Sequence, residues 1–200
     1  MSVLAEEFQT IAPDLFFWSA FDPAVKTDLS CCAYAQGDGL ILIDPIPLAE
    51  PAWEELQKAG QPRAILLTNE NHARAADHYR QRHQIPVIVP PLAKPNLGLK
   101  ADGYVMGTDV IYGLKPISIP GATPGETAYY HPKGFLFLGD AIINAGPDGL
   151  SLLPDKYCAD SKQNRESLKK LLSLSFTIVT FAHGLPLRTN AQSQLQNLLA

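Results

Sequence analysis

Short runs of β-branched and aromatic residues alternate along the chain with polar stretches whose apolar positions recur every three or four residues, the periods that mark strands and helices. The first third predicts strands at Leu15–Phe21, Cys31–Tyr34 and Leu40–Ile43, with Gly37-Asp38-Gly39 as the turn before the last. Pro45 and Pro47 close that run. A helix follows over Pro51–Ala59, with Trp53 and Leu56 on one face and Gly60 as its stop. Ala64–Thr68 is a short apolar run of the kind that sheets bury on both faces, and a helical stretch capped by Asn71 extends to about His83. Pro86–Val89 is another buried strand, after which the prolines and glycines of residues 90–103 predict a loop or crossover. Strand patterns return at Val110–Tyr112, Ile117–Ile119, Thr127–Tyr130 and Phe135–Leu138, the last two joined by Pro132-Lys133-Gly134. An amphipathic helix over Ser161–Leu174, a strand over Phe176–Phe181 and a helix over Asn190–Leu199 complete the pattern. Each half runs strands first and helix after, which predicts an α/β (α+β) chain. No stretch is rich enough in Pro, Gly and Ser to serve as a linker, so residues 1–200 are expected to form one domain.

Composition narrows the function classes. A chain of 200 residues buries roughly 70% of its unfolded surface, so its core needs neither disulfide nor metal. With 46% hydrophobic and 18% charged residues it is ordinary globular protein rather than a disordered one. The net charge of −4, without a dense Lys/Arg cluster, makes nucleic acid and anionic membranes unexpected partners. Cys31, Cys32 and Cys158 are an odd set with an adjacent pair, which predicts buried thiols in a reducing compartment rather than a disulfide framework. The amino terminus lacks a basic, apolar leader, and no run reaches the ~20 residues of a membrane span, so a cytoplasmic protein is expected. No Gly-rich phosphate loop or dinucleotide fingerprint is present.

Four segments together resemble the metallo-β-lactamase superfamily, including its glyoxalase II-like members. They are Leu40-Ile41-Leu42-Ile43-Asp44-Pro45, the stretch from Ala64 through Thr68-Asn69-Glu70-Asn71-His72-Ala73-Arg74, the stretch from Ile119-Pro120-Gly121-Ala122-Thr123-Pro124-Gly125 to Leu138-Gly139-Asp140, and Phe181-Ala182-His183-Gly184. Their order and spacing span nearly the whole chain. The resemblance implies a four-layer αββα sandwich with the functional site at the sheet edge.

It also implies a metal centre whose ligands this sequence has mostly exchanged. Where the family reads T-H-x-H-x-D-H, Thr68 is kept, but Asn69, Asn71, Ala73 and Arg74 stand at the ligand positions. The histidine of the family's P-G-H-T-P-G turn falls on Ala122. Asp140, matching the aspartate that bridges two metals, and His183, matching the last histidine, remain. Zinc takes imidazole, thiolate or carboxylate donors. A carboxamide oxygen is a weak substitute, alanine offers nothing, and a guanidinium has no lone pair. The expectation is therefore a metal-depleted pseudoenzyme without resident cofactor, holding a cleft of Asn69, Asn71, Arg74, Asp140 and His183 that binds a small polar or anionic molecule.

In that cleft Arg74 or His183 is expected to pair with Asp140, because a buried carboxylate needs a cation. The alternatives are a hydrolase of an ester or thioester bond using one zinc held by Asp140, His183 and His72, or metal-free acid–base catalysis with an Asp-polarised His183. Otherwise His72, Asp77 and His78 read as ordinary helix residues, and Ser118, Thr123 and Cys158 as hydroxyls and a thiol without a catalytic signature. The apolar strand Leu15–Phe21 could pair or pack with a second copy, so a homodimer and a monomer are both open.

Overall fold

The computed structural model describes residues 3–93, 98–105, 109–144, 146 and 149–200. Strand alternation sets its architecture. In β2 (Leu15–Asp22), Leu15 and Phe17 point to one side and Phe16 and Trp18 to the other, all buried. The same split recurs in β3 (Thr27–Gln36), β4 (Gly39–Ile43) and β5 (Gln61–Leu66), which therefore have protein on both faces. With β1 (Gln9–Ala12), β6 (Val87–Val89) and β7 (Gly103–Tyr104) they make a sheet in sequential order, antiparallel from β1 to β4 and parallel from β4 to β7.

A second sheet contains β8 (Lys115–Ser118), β9 (Thr127–His131), β10 (Phe135–Phe137) and β13 (Ile178–Thr180), in the order β13-β10-β9-β8. A hairpin of β11 (Ile142–Asn144) and β12 (Leu150–Leu152) lies apart from both.

Three core clusters correspond to the three spaces between four layers. The outer face of the first sheet meets α1 (Glu50–Leu56) and α2 (Ala76–His83) through Trp53, Leu56 and Tyr79. The two sheets face one another through Phe17, Ile41, Leu66, Tyr129 and Phe137. The outer face of the second sheet meets α3 (Ser161–Leu168) and α4 (Ala191–Leu199) through Leu136, Val179, Leu168 and Leu195. Each space supplies hydrophobic burial that neither neighbouring layer could supply alone. Among the described residues no helix is long and apolar enough to cross a membrane.

Some local expectations change. The helix expected from Asn71 is a 3-10 turn at Glu70–His72 followed, after a break, by α2, and its cap is Asn69, whose side chain accepts from Asn71 N. Val110–Tyr112 is no strand and makes only a bridge between Ile111 and Leu114. The helix at Ser161 is α only to Leu168 and tightens to 3-10 over Lys169–Ser173. Within the expected loop at 90–103, residues 94–97 lie outside the described set. Leu15–Phe21 is no exposed apolar edge: β1 pairs with it, its first four residues are buried, and Phe21 alone among its aromatics is exposed.

Leu42, fully buried between the first sheet and its helices, is expected to lose about 2–5 kcal/mol on substitution by Ala. Phe21→Ser, at an exposed position, should stay within about 0.5 kcal/mol of wild type. Urea denaturation of the two variants measures both.

Candidate functional site

Four strands of the two sheets deliver the polar residues of one cleft from their carboxyl ends, the position open sheets reserve for ligands. Asp44 follows β4, Thr68 and Asn69 follow β5, Asp140 follows β10 and His183 follows β13. Main-chain bonds lock the sheets together around them: Thr127 N donates to Thr68 O at 2.8 Å, and Ser30 N to Ala182 O at 2.8 Å. Gly139 permits a close approach, since a Cβ there would lie 2.5 Å from both Glu126 Oε1 and Thr68 Oγ1.

Asp140 is buried, and four nitrogens converge on its carboxylate. His72 Nε2 lies 3.1 Å and His183 Nε2 3.3 Å from Oδ1, while Asn69 Nδ2 lies 3.1 Å and Asn71 Nδ2 3.4 Å from Oδ2. The backbone decides which way the Asn69 amide faces. Its Oδ1 accepts from Asn71 N at 2.8 Å, so its nitrogen must point at Asp140 and at Glu126 Oε2, 2.8 Å away. Burial alone would raise the Asp140 pKa, but His72 and His183 outweigh it and hold the carboxyl well below its ordinary range.

His72 is the residue that sequence reasoning placed wrongly. It is 2% exposed, not on a helix surface, because the 3-10 turn points it inward. Its Nδ1 sits 2.9 Å from Asp44 Oδ2 and 2.8 Å from Thr68 Oγ1, and its Nε2 faces Asp140. An imidazole with a carboxylate at each nitrogen acts as a double donor, which is the imidazolium. Burial pushes its pKa down, yet the Asp140 and Asp44 charges overcome that and bring it up to about 9. Asp44 is itself fixed in a left-handed conformation (φ +50°) and accepts from Thr68 N and Oγ1. Asp77 and His78 stand on α2, away from this cluster.

Arg74 does not pair with Asp140. Its guanidinium donates to three main-chain carbonyls, Ser30 O at 2.8 Å, Asp44 O at 3.3 Å and Ala182 O at 3.2 Å. These belong to β3, the end of β4 and the segment after β13, so the side chain staples the two sheets together. His183, the other expected partner, does face Asp140, and His72 joins it from the 3-10 turn. Asp77, three residues on, joins Arg80 rather than the cleft.

Beneath Asp140 lies Glu126, which stands at none of the expected ligand positions. It is buried, accepts from Asn69 Nδ2, from Thr123 Oγ1 at 2.7 Å and from Ala141 N at 3.2 Å. Burial, then the Asp140 charge, raises its pKa to about 7. The signal that could have found it is a carboxylate in an otherwise apolar and glycine-rich turn-to-strand junction, Gly125-Glu126-Thr127-Ala128. Burial raises the pKa of all three thiols, Cys32 to about 12 and Cys31 well above its ordinary value, which disfavours the nucleophilic thiolate. Above the cluster opens a cleft of about 850 Å3, lined by its polar residues and by Val25, Leu29, Ile46, Ile143 and Leu153.

The profile of the metallo-beta-lactamase superfamily matches residues 9–200. The chain belongs to the metallo-beta-lactamase superfamily. Solved structures agree in fold. A metallo-beta-lactamase from Pontibacter korlensis is 19% identical, with 96% of this chain and 98% of that one covered at a TM-score of 0.76. One from Erythrobacter litoralis, with beta mercaptoethanol in its active site, is 17% identical over 96% and 95% of the two chains, TM-score 0.75. TTHA1623, solved in a di-iron-bound form, is 27% identical over 85% and 94%, TM-score 0.65. No curated protein matches the sequence.

Among the described residues of this superfamily member, one group has the makings of a metal site: His72, Asp140 and His183, whose ligand atoms lie within 4.8 Å of one another. A metal there would compete with the His72 proton. The Asp140 and Asp44 charges, which raise the His72 pKa, favour that proton.

The charge arrangement predicts how stability depends on pH. Because the folded-state pKa of His72 is raised from 6.5 to about 9, its contribution is complete below about pH 6.5 and is lost as pH rises through 9. Glu126, raised from 4.5 to about 7, adds a loss in the same direction at lower pH. The urea midpoint of wild type should fall between about pH 7 and 9, and His72→Gln should remove most of that dependence. Arg74→Ala should cost about 2–4 kcal/mol from its lost carbonyl bonds, with Arg74→Lys recovering little because a point charge cannot span the three acceptors. Denaturation at a single pH measures the Arg74 pair.

Proposed function

We propose that this protein is a metal-free member of its superfamily that uses the inherited cleft to bind a small polar molecule. One observation carries the reading: four nitrogens of the protein itself, two carboxamide and two imidazole, surround the Asp140 carboxylate. A carboxylate that bridges metals offers its oxygens to cations; this one offers them to two carboxamides and two imidazoles. The residues do not fit a binuclear centre. Asn69 turns its nitrogen rather than its oxygen inward, Ala122 is buried without a donor, and Arg74 is directed at carbonyls. In this reading residues 1–200 act as one domain, and Asn69, Asn71, Arg74, Asp140 and His183 form the cleft together with His72.

General-base catalysis by His183 has less support. Its Nδ1 faces Asp28 O at 3.0 Å and its Nε2 faces Asp140, leaving no ring lone pair toward the cleft. A second reading has a specific observation behind it: the compact His72, Asp140, His183 group is a donor set for a single metal, and a relative is known in a di-iron-bound form. On that reading the three residues would hold one ion as a Lewis acid for hydrolysis of an ester or thioester bond.

Elemental analysis of protein from cells supplied with zinc, iron and manganese, purified without chelator, separates the two. The metal-free reading expects far less than one equivalent of any of the three, and a melting temperature unmoved by chelator. One equivalent or more, lost in Asp140→Ala, would overturn it.

A further inference from the structure

Both signs of charge line the cleft, together with groups that donate and accept equally well. Asp22 and Asp140 are carboxylates and Arg74 is a guanidinium, while the Thr27, Thr123 and Tyr157 hydroxyls each serve as donor or acceptor. Such a lining does not select a head group by the sign of its charge, and on the metal-free reading no ion supplies that selection either. Polar contacts made here are exchanged against water, so each adds little net affinity. The polar groups can hold one end of a guest, but they are the smaller part of what the space offers.

Most of the surface facing the space is apolar, with Leu29, Ile46, Pro47, Ile143 and Leu153 among its contributors. The exposed apolar residues of the molecule follow the same distribution. Among the described residues seven large apolar side chains are exposed. Val25, in the turn between β2 and β3, and Tyr157, in the 3-10 turn at Asp155–Tyr157, belong to the lining itself. Leu4 follows the lining residue Val3. Leu185 accepts through its carbonyl from Asn144 Nδ2 at 2.7 Å, and Asn144 is the neighbour of the lining residue Ile143. Four of the seven therefore stand in or beside this one opening, and exposed apolar groups that gather in this way mark a binding groove. At about 850 Å3 the space falls in the range that holds drug-sized ligands, not only a small polar group.

Resting on the metal-free reading, we infer that the cleft takes a medium-chain amphiphile: a hydrocarbon body among Leu29, Ile46, Ile143 and Leu153 that reaches Val25 and Tyr157 at the opening, with one small polar end at Asn71, Thr123 and Asp140. The body, rather than the head, sets the affinity. Each CH2 taken out of water strengthens binding about fourfold, whereas exchanging one head for another swaps contacts that both signs of charge in the lining can answer. The polar molecule of the metal-free reading thereby acquires an apolar carrier, which the residue types of the former metal site do not reveal.

Titration calorimetry on the full-length protein with hexanol, octanol and decanol varies the body, and octylamine and octanoate vary the head at fixed length. Affinity is expected to rise on the order of tenfold with each two added carbons, while the three octyl compounds stay within about tenfold of one another. Leu29→Asn and Ile143→Asn, in the lining, are expected to weaken decanol on the order of tenfold. Val25→Asn, at an exposed position of the lining, should weaken it in the same direction and serves if the other two variants fail to fold. Val110→Asn removes a similarly exposed apolar side chain that does not line the cleft, and is expected to leave binding unchanged. No binding of decanol, a flat chain-length series, or a head-group spread wider than the chain-length one would overturn the inference. So would decanol binding that is as strong in the lining variants as in Val110→Asn, since that would be diffuse adsorption. A dimer in sedimentation that Val25→Asn dissociates without weakening decanol would also overturn it, because the apolar opening would then serve a second copy. The metal content of the same sample keeps the two claims apart: a flat series in metal-free protein overturns the ligand class alone, whereas stoichiometric metal overturns the reading beneath it.

Discussion

A buried aspartate that must be neutralised organises this protein. Asp140 sits where four strand ends meet, and leaving its charge unpaired would cost several kcal/mol. Two imidazoles and two carboxamides supply the compensation. Each of them depends in turn on something behind it. His72 is oriented by Asp44 and Thr68, Asn69 by the Asn71 amide, and His183 by the Asp28 carbonyl. Asp44 adopts a left-handed backbone to reach its partners, and Gly139 is small enough to let Glu126 and Thr68 approach. The site is a connected polar network, and such networks stabilise only when every member is satisfied.

This makes the relation to the rest of the superfamily a question of charge rather than of shape. The fold is shared with solved metallo-beta-lactamases, and here four strand ends position the site. Positive charge that could be carried by metal ions can equally be carried by an imidazolium held between two carboxylates. On the proposed metal-free reading the cleft differs accordingly: an ion would present open coordination positions to a guest, whereas nitrogens turned toward Asp140 do not.

Most of the architecture was legible in the sequence because strand alternation and helix periodicity are strong signals here. The central runs at Leu40–Ile43 and Ala64–Thr68, the turn at Gly134 and the closing helix all appear near where the pattern puts them. Short elements were harder. β1 and the β11–β12 hairpin carry too few residues to show a period, and the 3-10 turn at Glu70–His72 looks helical until its geometry is known. That single turn hid the site's main feature. On a regular helix from Asn71, His72 would face away from its actual partners. In a turn capped by Asn69 it points to the centre. Arg74 was misplaced for a related reason: its backbone is left-handed at φ +33°, so side-chain direction could not be extrapolated from helix spacing. Glu126 escaped because one carboxylate in a turn has no period at all.

The protonation of His72 tests the central claim most directly. Nitrogen NMR of uniformly labelled protein near neutral pH reports each imidazole nitrogen separately. If His72 replaces metal charge beside Asp140, both its nitrogens will carry protons and keep the shifts of an imidazolium until pH approaches about 9. A His72 with one bare nitrogen at neutral pH, or with a nitrogen shifted by a bound metal, would contradict the account.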